Sequence, residues 1–454
     1  MDRSDFRKST TYLKYAITLV LAVLVFRGFM PELLGAEKLT LAEGLRIVTE
    51  ESRIVKLSRQ DELISEADTR AARSGLLPHI YGSYTRNYNE KQQGAVMGSQ
   101  SVYTQQKDFY AYSLIVRQIL WDFGGVSSTY KASKKILEAR QYDYKRTKNF
   151  AALLFTTGYL DLLESEKMVT VGEKEVERLE THLKTARSLY DEGVITRNDL
   201  LQAEVRLSDA RQKLLTAENT RKINVSRLNN MLVRPLASTI ETEEAAGSAW
   251  EPIDLDRAFD LAGKERYEVR IVDATLEAVD FEATAKKAEY YPRFFVEGGY
   301  DYAENKYALY DGSWTVIGGM TINFLSGGST KAGIDKIRHR KNKLITERKK
   351  LIDDIRLEVE RYHLDLANAC EKVKVTKDAT FQAEENLRIN TIKYREGEGT
   401  ATDVIDAITL LTMAETNYHR SRYDLLRAEA GLMHAMGQDL LEVYRQEWKR
   451  QGKS

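Results

Sequence analysis

The chain has 454 residues, of which 43% are hydrophobic and 30% are charged. Basic and acidic residues number 68 each, and this balance argues against nucleic-acid binding, which needs a basic surplus. The single cysteine, Cys370, excludes an intrachain disulfide, and the six scattered histidines form no HxxxH or HxH pair. We therefore expect no metal site and no cofactor.

Residues 1–36 have the pattern of an export signal. Basic residues precede an apolar run at Tyr15–Phe26, which is too short for a comfortable membrane span. Gly35 and Ala36 then supply small residues for cleavage before Glu37. An uncleaved N-terminal anchor is the alternative. No later segment approaches the length of apolar sequence that a transmembrane helix needs.

Each half of the chain contains a pair of segments with the two-residue alternation typical of β-strands. Pro78 opens the first predicted hairpin, at 79–121, which has a long polar loop. Pro292 opens the second, at 293–324. Tilted strands of about 9–11 residues cross a bilayer, and tyrosines near the loop ends suit an aromatic belt. A soluble β-sandwich with tyrosine-rich edges is the alternative.

Four strands per chain have a consequence for assembly. They are too few to close a barrel, and an open strand edge is not tolerated in lipid. If these strands are inserted in a membrane, the chain must therefore oligomerise.

Long helices are predicted on either side of two turns. Proline is absent between 79 and 234 and after 292, so both tracts can be helical throughout. A helix of about 65 residues, roughly 100 Å long, follows each β-hairpin. Heptad-like spacing with alternating large residues and alanine predicts antiparallel helical hairpins at 127–230 and 330–436. Residues 40–77 are also predicted to be helical, up to Pro78.

The second half repeats the first at an offset of 204 residues. The matched segments are Tyr190-Asp191-Glu192-Gly193 with Tyr394-Arg395-Glu396-Gly397, and Gly124 with Gly328. A repeat of this length indicates two copies of one large unit. We assign the first structural repeat to 37–245, the second to 246–440, and a C-terminal tail to 441–454.

The two turns have a structural explanation. Gly193 and Gly397 follow the long helices, where a left-handed C-cap favours glycine. The next helix then needs an N-cap, for which the candidates are Asn198 or Asp199 in the first copy and Thr402 or Asp403 in the second.

Asp406 is not explained by capping, because it lies one turn inside the helix. It shares a helix face with Asp403, whereas the first copy has Gln202 at the matching position. In a symmetric oligomer with this face inward, Asp403 and Asp406 would form two stacked rings of negative charge that select for cations. A solvated surface pair is the alternative.

These features occur in the same order in both halves of the chain. Together they resemble the TolC family of outer-membrane efflux proteins over about residues 40–440. Four flanking motifs add to the resemblance: Leu76-Leu77-Pro78, Tyr290-Tyr291-Pro292, Leu120–Gly124 and Phe324–Gly328. The resemblance implies an α+β membrane protein and a homotrimer. Duplicated long α-helical hairpins would form a periplasmic tunnel, and four β-strands per chain would contribute to a trimeric 12-stranded transmembrane β-barrel. The barrel would lie in the outer-membrane lipid of a Gram-negative (diderm) bacterium.

The resemblance also implies roles for residues at the turns. A periplasmic membrane-fusion adaptor would dock at the tip turns, with Gly193, Val194, Thr196, Gly397 and Thr400. Asp403 and Asp406 would be the pore constriction, and Tyr394 with Asp199 an entrance latch. One departure is Gly399, where the family's best-known member has an arginine. Part of the latch is then missing, so the resemblance does not imply an equally tightly closed resting state.

The function implied is that of a passive duct in a tripartite efflux or type I secretion system. It would carry substrates from an inner-membrane pump, proton-driven or ATP-driven, and its adaptor to the exterior. The alternative is a structural coiled-coil protein of the cell envelope without channel activity. An enzyme is not expected, because the chain lacks the spacing of a nucleophile–base pair or a metal site. The sequence leaves the exported substrate open.

Overall fold

The computed structural model describes residues 38–244 and 253–451, so the predicted signal peptide lies outside the described residues. The chain divides into two units by its contacts. In the small unit, Leu39 and Thr242 form an isolated parallel bridge. The large unit, Leu41–Ser238 with the described residues from Glu244 onward, holds the helices and strands given below.

The large unit contains the same order of main elements twice. The first copy consists of α1 (Leu41–Glu51), α2 (Arg53–Ser74), β1 (His79–Tyr88), β2 (Gly94–Met97), β3 (Gln100–Tyr103), β4 (Asp108–Trp121), α3 (Gly125–Asp191) and α4 (Arg197–Met231). The second consists of α5 (Leu255–Glu265), α6 (Tyr267–Ala288), β5 (Arg293–Ala303), β6 (Gly312–Thr321), α7 (Ser329–Arg395) and α8 (Ala401–Ala435), and α9 (Leu440–Gln451) follows. The predicted long helices are confirmed, since α3 and α7 have 67 residues each.

The offset between the copies is not constant. Helices α3 and α7 begin 204 residues apart, as do α4 and α8, but β1 and β5 begin 214 apart. The difference arises in the loop between β1 and β4, because this loop contains the extra hairpin β2–β3 and is longer than the loop between β5 and β6. A single offset of 204 was therefore wrong for the elements that precede this loop.

The helix predicted over 40–77 is interrupted at Ser52, which has extended backbone angles (φ −61°, ψ 146°). Arg266 has a similar conformation (φ −62°, ψ 122°) between α5 and α6. The Arg266 guanidinium is buried and donates to Glu268, to Glu358 and to the carbonyl of Ala435. Neither position needs proline or glycine, so the bend at Arg266 is fixed by contacts between distant segments rather than by a local signal.

Strands β1, β4, β5 and β6 form one antiparallel sheet in the order β1-β4-β5-β6. One face is apolar and largely exposed, with Ile80, Leu114, Val116, Val316 and Met320, and Tyr84, Tyr112, Tyr302 and Trp314 follow near the loop end. The other face is more polar. It includes the Ser83–Ser113 hydrogen bond and the Arg117–Glu297 ion pair beside Ile115, Phe295 and Ile317. The predicted two-residue alternation is thus confirmed, with an apolar face that nothing in the described chain covers.

The long helices form two hairpins. Helix α3 packs against α4, α7 packs against α8, and α3 also contacts α8, which joins the hairpins side by side. Alanine lies on these seams, as at Ala203 and Ala407, which are both buried. Among the helices described, none has an apolar stretch long enough to span a membrane.

Candidate functional site

The turn ends of the two hairpins pack into one apolar cluster. It is formed by Leu179, Leu207 and Ala210 from the first hairpin and by Tyr394, Ala401, Val404 and Ile408 from the second. All seven side chains are buried. The cluster places the residues singled out in the two turns at the same end of the helices.

Each turn begins with the glycine cap predicted from the sequence. Gly193 and Gly397 have left-handed backbones, with φ of 76° and 79°. The amide of Gly193 donates to the carbonyl of Tyr190 at 2.9 Å, and that of Val194 to Leu189 at 2.8 Å. Equivalent bonds follow α7, so both helices end in a Schellman motif. The prediction for the two glycines is confirmed.

The N-caps of the next helices are not the residues predicted. Thr196 and Thr400 are the caps, and Asp199 and Asp403 complete capping boxes from the third helical position. In the second turn, Oδ2 of Asp403 accepts from the Thr400 amide at 2.9 Å and from its hydroxyl at 2.7 Å. A threonine three residues before an aspartate is the pattern that locates these caps.

The other turn residues face solvent. Gly193, Val194, Thr196, Gly397 and Thr400 are all exposed, as a docking surface requires. Docking of an adaptor here stays a prediction.

Gly399 lies close to the end of α7. A Cβ atom at this position would lie 3.2 Å from the Lys393 Cβ and from the Tyr394 amide nitrogen. A larger side chain would therefore require the turn to shift.

Asp403 and Asp406 lie on the same exposed face of α8 but are bonded differently. The Thr400 hydroxyl, and then its backbone amide, hold the pKa of the Asp403 carboxyl below its usual value. Asp406 makes no hydrogen bond or ion pair within the described part of the chain. Its charge is therefore unpaired within the described residues, whereas that of Asp403 serves the helix cap.

Gln202, the counterpart of Asp406, faces the other hairpin. It is half-buried, and the Thr402 hydroxyl lies 3.5 Å from its Oε1. The matching position therefore differs between the two copies. Gln202 in the first contacts the other hairpin, and Asp406 in the second is an exposed charge.

The predicted latch pair is close but not bonded. The hydroxyl of Tyr394 is buried and, within the described chain, has no hydrogen-bond partner. Oδ2 of Asp199 instead accepts from the Thr196 hydroxyl at 2.7 Å. Burial raises the pKa of Tyr394, and the Asp199 charge adds to the rise. The latch role of the pair stays a prediction.

Sequence reasoning missed two contacts beside Tyr394. The His182 ring lies against it, with the ring centroids 5.2 Å apart. One turn away, the Arg178 guanidinium donates to both oxygens of Glu415, each at 2.9 Å. This second pair joins α3 to α8, and the hydrogen bonds to Glu415 raise the pKa of Arg178. Neither pair has a local signal, because its members are more than 200 residues apart.

We expect Thr400→Ala to loosen the start of α8. Loss of an N-cap costs about 1 kcal/mol, which corresponds to roughly fivefold faster amide exchange in the first turn. Hydrogen–deuterium exchange over 400–408 measures the effect. Thr402→Ala, two residues away and outside the cap, is the control. Equal exchange in the two variants would contradict the capping role.

Potential metal ligands and the single cysteine were the other candidate features of the chain. Within 38–244 and 253–451, no three His, Cys, Asp or Glu side chains lie together as metal ligands would. Cys370 is a free, exposed thiol on α7. Neither feature adds a site to the turn end of the hairpins.

Comparison with known proteins assigns the fold to a family. A model of the outer membrane efflux protein family matches residues 50–233 and 259–438. The outer membrane efflux protein BepC of Brucella suis biovar 1 (strain 1330) is 20% identical over 431 residues, 94% of this chain and 91% of BepC. The proteases secretion protein PrtF of Dickeya chrysanthemi is 21% identical over 378 residues, 79% of this chain and 78% of PrtF.

A solved structure supports the same assignment of the fold. The Campylobacter jejuni CmeC outer membrane channel superposes with a TM-score of 0.78 at 13% identity, covering 90% of this chain and 89% of CmeC. The resemblance drawn from the turn and strand motifs is thus confirmed. Since the family model matches most of both repeats, the chain belongs to the outer membrane efflux protein family and resides in the outer membrane.

Proposed function

We propose that three copies of this chain form one passive duct across the outer membrane and the periplasm. The four-stranded sheets join into a 12-stranded barrel in the lipid, and the helical hairpins form the tunnel below it. The duct has no catalytic activity of its own. An inner-membrane pump drives the cargo.

The sheet is the observation that carries this proposal. Its apolar face is exposed, and in the described chain β1 and β6 each pair along one edge only. Because unpaired strand edges are not tolerated in lipid, β1 of one copy pairs with β6 of the next. With an even number of antiparallel strands per chain, this junction is antiparallel as well. The family resemblance supplies the number three.

The exposed face of α8 lines the tunnel in this assembly. Between Thr402 and Arg420, its exposed residues recur at helical spacing: Thr402, Asp403, Asp406, Thr409, Leu410, Met413, Asn417 and Arg420. Three copies bring the Asp406 carboxylates together at the turn end, where they form the narrowest and most negative part of the duct, with Asp403 next to them. Tyr394 closes the same end, and Asp199 lies near it.

The exposed turn residues form the docking site for a periplasmic adaptor. The adaptor connects the duct to a proton-driven or ATP-driven pump in the inner membrane. The two relatives have different named functions, efflux for BepC and protease secretion for PrtF. Their sequences are nearly equally identical to this chain. We infer that the partner pump, rather than this chain, selects the cargo.

Membrane fractionation with native mass spectrometry tests the assembly. The duct predicts protein in the outer-membrane fraction and a detergent-extracted particle with three times the mass of one mature chain. A monomer outside the outer membrane would contradict the duct. That result would support the structural coiled-coil protein of the envelope instead.

A further inference from the structure

One pair of buried rings joins the two hairpins near their turns. His182 of α3 and Tyr394 of α7 are 5% and 4% exposed. Their ring planes meet at 44° with the centroids 5.2 Å apart. Nε2 of His182 and the Tyr394 hydroxyl have no hydrogen-bond partner within the part of the chain that the structure describes. The contact is therefore held by packing alone.

A cavity of about 410 Å³ borders this pair between α3, α7 and α8. Leu387, Val404 and Ile408 form its apolar wall. The charged groups around it are Lys174, Glu177 and Arg178 from α3, Arg395 from α7, Glu415 from α8 and Asp199 from α4. None of the three carboxylates bonds to His182, and Arg178 is paired with Glu415.

This environment accepts a neutral imidazole but not a charged one. A buried charge without a partner is strongly disfavoured, and burial lowers the pKa of His182 below its usual value. If α3 and α7 separate, water reaches the ring and its pKa returns to the usual value. The packed arrangement therefore keeps its full stability above the usual histidine pKa and loses stability as the pH falls below it.

We propose that His182 is a gating residue of the duct. In its neutral form the ring holds Tyr394 between the hairpins and keeps the entrance closed. Protonation releases Tyr394 and opens the entrance. This inference rests on the duct function proposed above, and it assigns closure to a residue that contacts Tyr394 directly, whereas Asp199 is bonded elsewhere.

Current through the purified channel in planar bilayers tests the proposal. With the periplasmic side moved from about pH 7.5 to about pH 5.5, across the usual histidine pKa, the current should rise. The open-to-closed ratio can change by up to about tenfold per pH unit for each chain. His182→Gln and His182→Phe should abolish the rise, and His182→Arg should conduct at the higher pH. His419→Gln, at a half-buried histidine on α8, should keep it.

Hydrogen–deuterium exchange over 176–190 and 387–404 provides a readout that needs no current. After correction for the slower intrinsic amide exchange at lower pH, the wild type should be less protected at the lower pH, and His182→Gln should keep the same protection at both. Channels whose pH response survives in both neutral variants would overturn the inference and leave the duct function intact. Absence of current in every variant would contradict the duct function, and the exchange data would still decide the role of His182.

Discussion

Arg178→Ala is expected to separate the two hairpins at their turn end and to raise the resting current of the channel. Arg178 and Glu415 form a two-pronged pair between α3 and α8, with side chains only 23% and 12% exposed. Removal of the arginine leaves a largely buried carboxylate whose remaining ion pair among the described residues is the one with Lys174, at 4.0 Å. We expect the free energy that favours the closed entrance to fall by about 2 kcal/mol. This corresponds to a roughly 30-fold lower ratio of closed to open entrances for each chain.

Arg211→Ala is the matched control for this prediction. Arg211 pairs with Glu180 at 2.6 Å, but the pair is exposed and lies within the first hairpin. Exposed pairs contribute at most about 1 kcal/mol, and this one does not join the hairpins. Bilayer currents at fixed pH compare the two variants. Equal currents would mean that Arg178 does not hold the hairpins together.

Asp406→Asn is expected to relieve the block of the channel by multivalent cations. The substitution keeps the shape of the side chain and removes one charge from each chain, so a ring of three charges disappears. The concentration of a multivalent cation that blocks half of the current should rise roughly tenfold or more, which corresponds to about 1.4 kcal/mol. Single-channel recordings with the cation on the periplasmic side measure it.

Two further aspartate variants separate charge from helix capping. Asp403→Asn and Asp199→Asn disrupt equivalent capping boxes, but only Asp403 lies on the proposed lining face. We therefore expect a weaker block in Asp403→Asn than in Asp199→Asn. If all three asparagine variants retain the block of the wild type, α8 does not line the pore.

The periodic parts of this fold were predictable from sequence because they repeat a local rule. Strand alternation predicted the apolar and the more polar face of the sheet. Glycine predicted the ends of α3 and α7, because the residue after each helix has a left-handed backbone that glycine adopts without strain. The predicted N-caps lie too far along the chain, because Asp199 and Asp403 are the third helical residues of capping boxes that begin at Thr196 and Thr400.

Contacts between distant residues were not predictable in the same way. The pair Arg178–Glu415 spans 237 residues, and the ring contact of His182 with Tyr394 joins different hairpins. Only the packed structure brings these side chains together. The bend at Ser52 has no proline or glycine that would predict it. The change of offset from 214 to 204 depends on the exact bounds of the strands, which residue patterns do not specify.

Stepwise modification of a single introduced thiol tests the central claim, that three α8 helices line one pore. The protein would carry Asp406→Cys with Cys370→Ser, which removes its only native cysteine. A charged, water-soluble thiol reagent would be added during single-channel recording. We expect the current to fall in three equal steps, one for each chain. Channels whose current is unchanged by the reagent, although the thiol is modified, would contradict it.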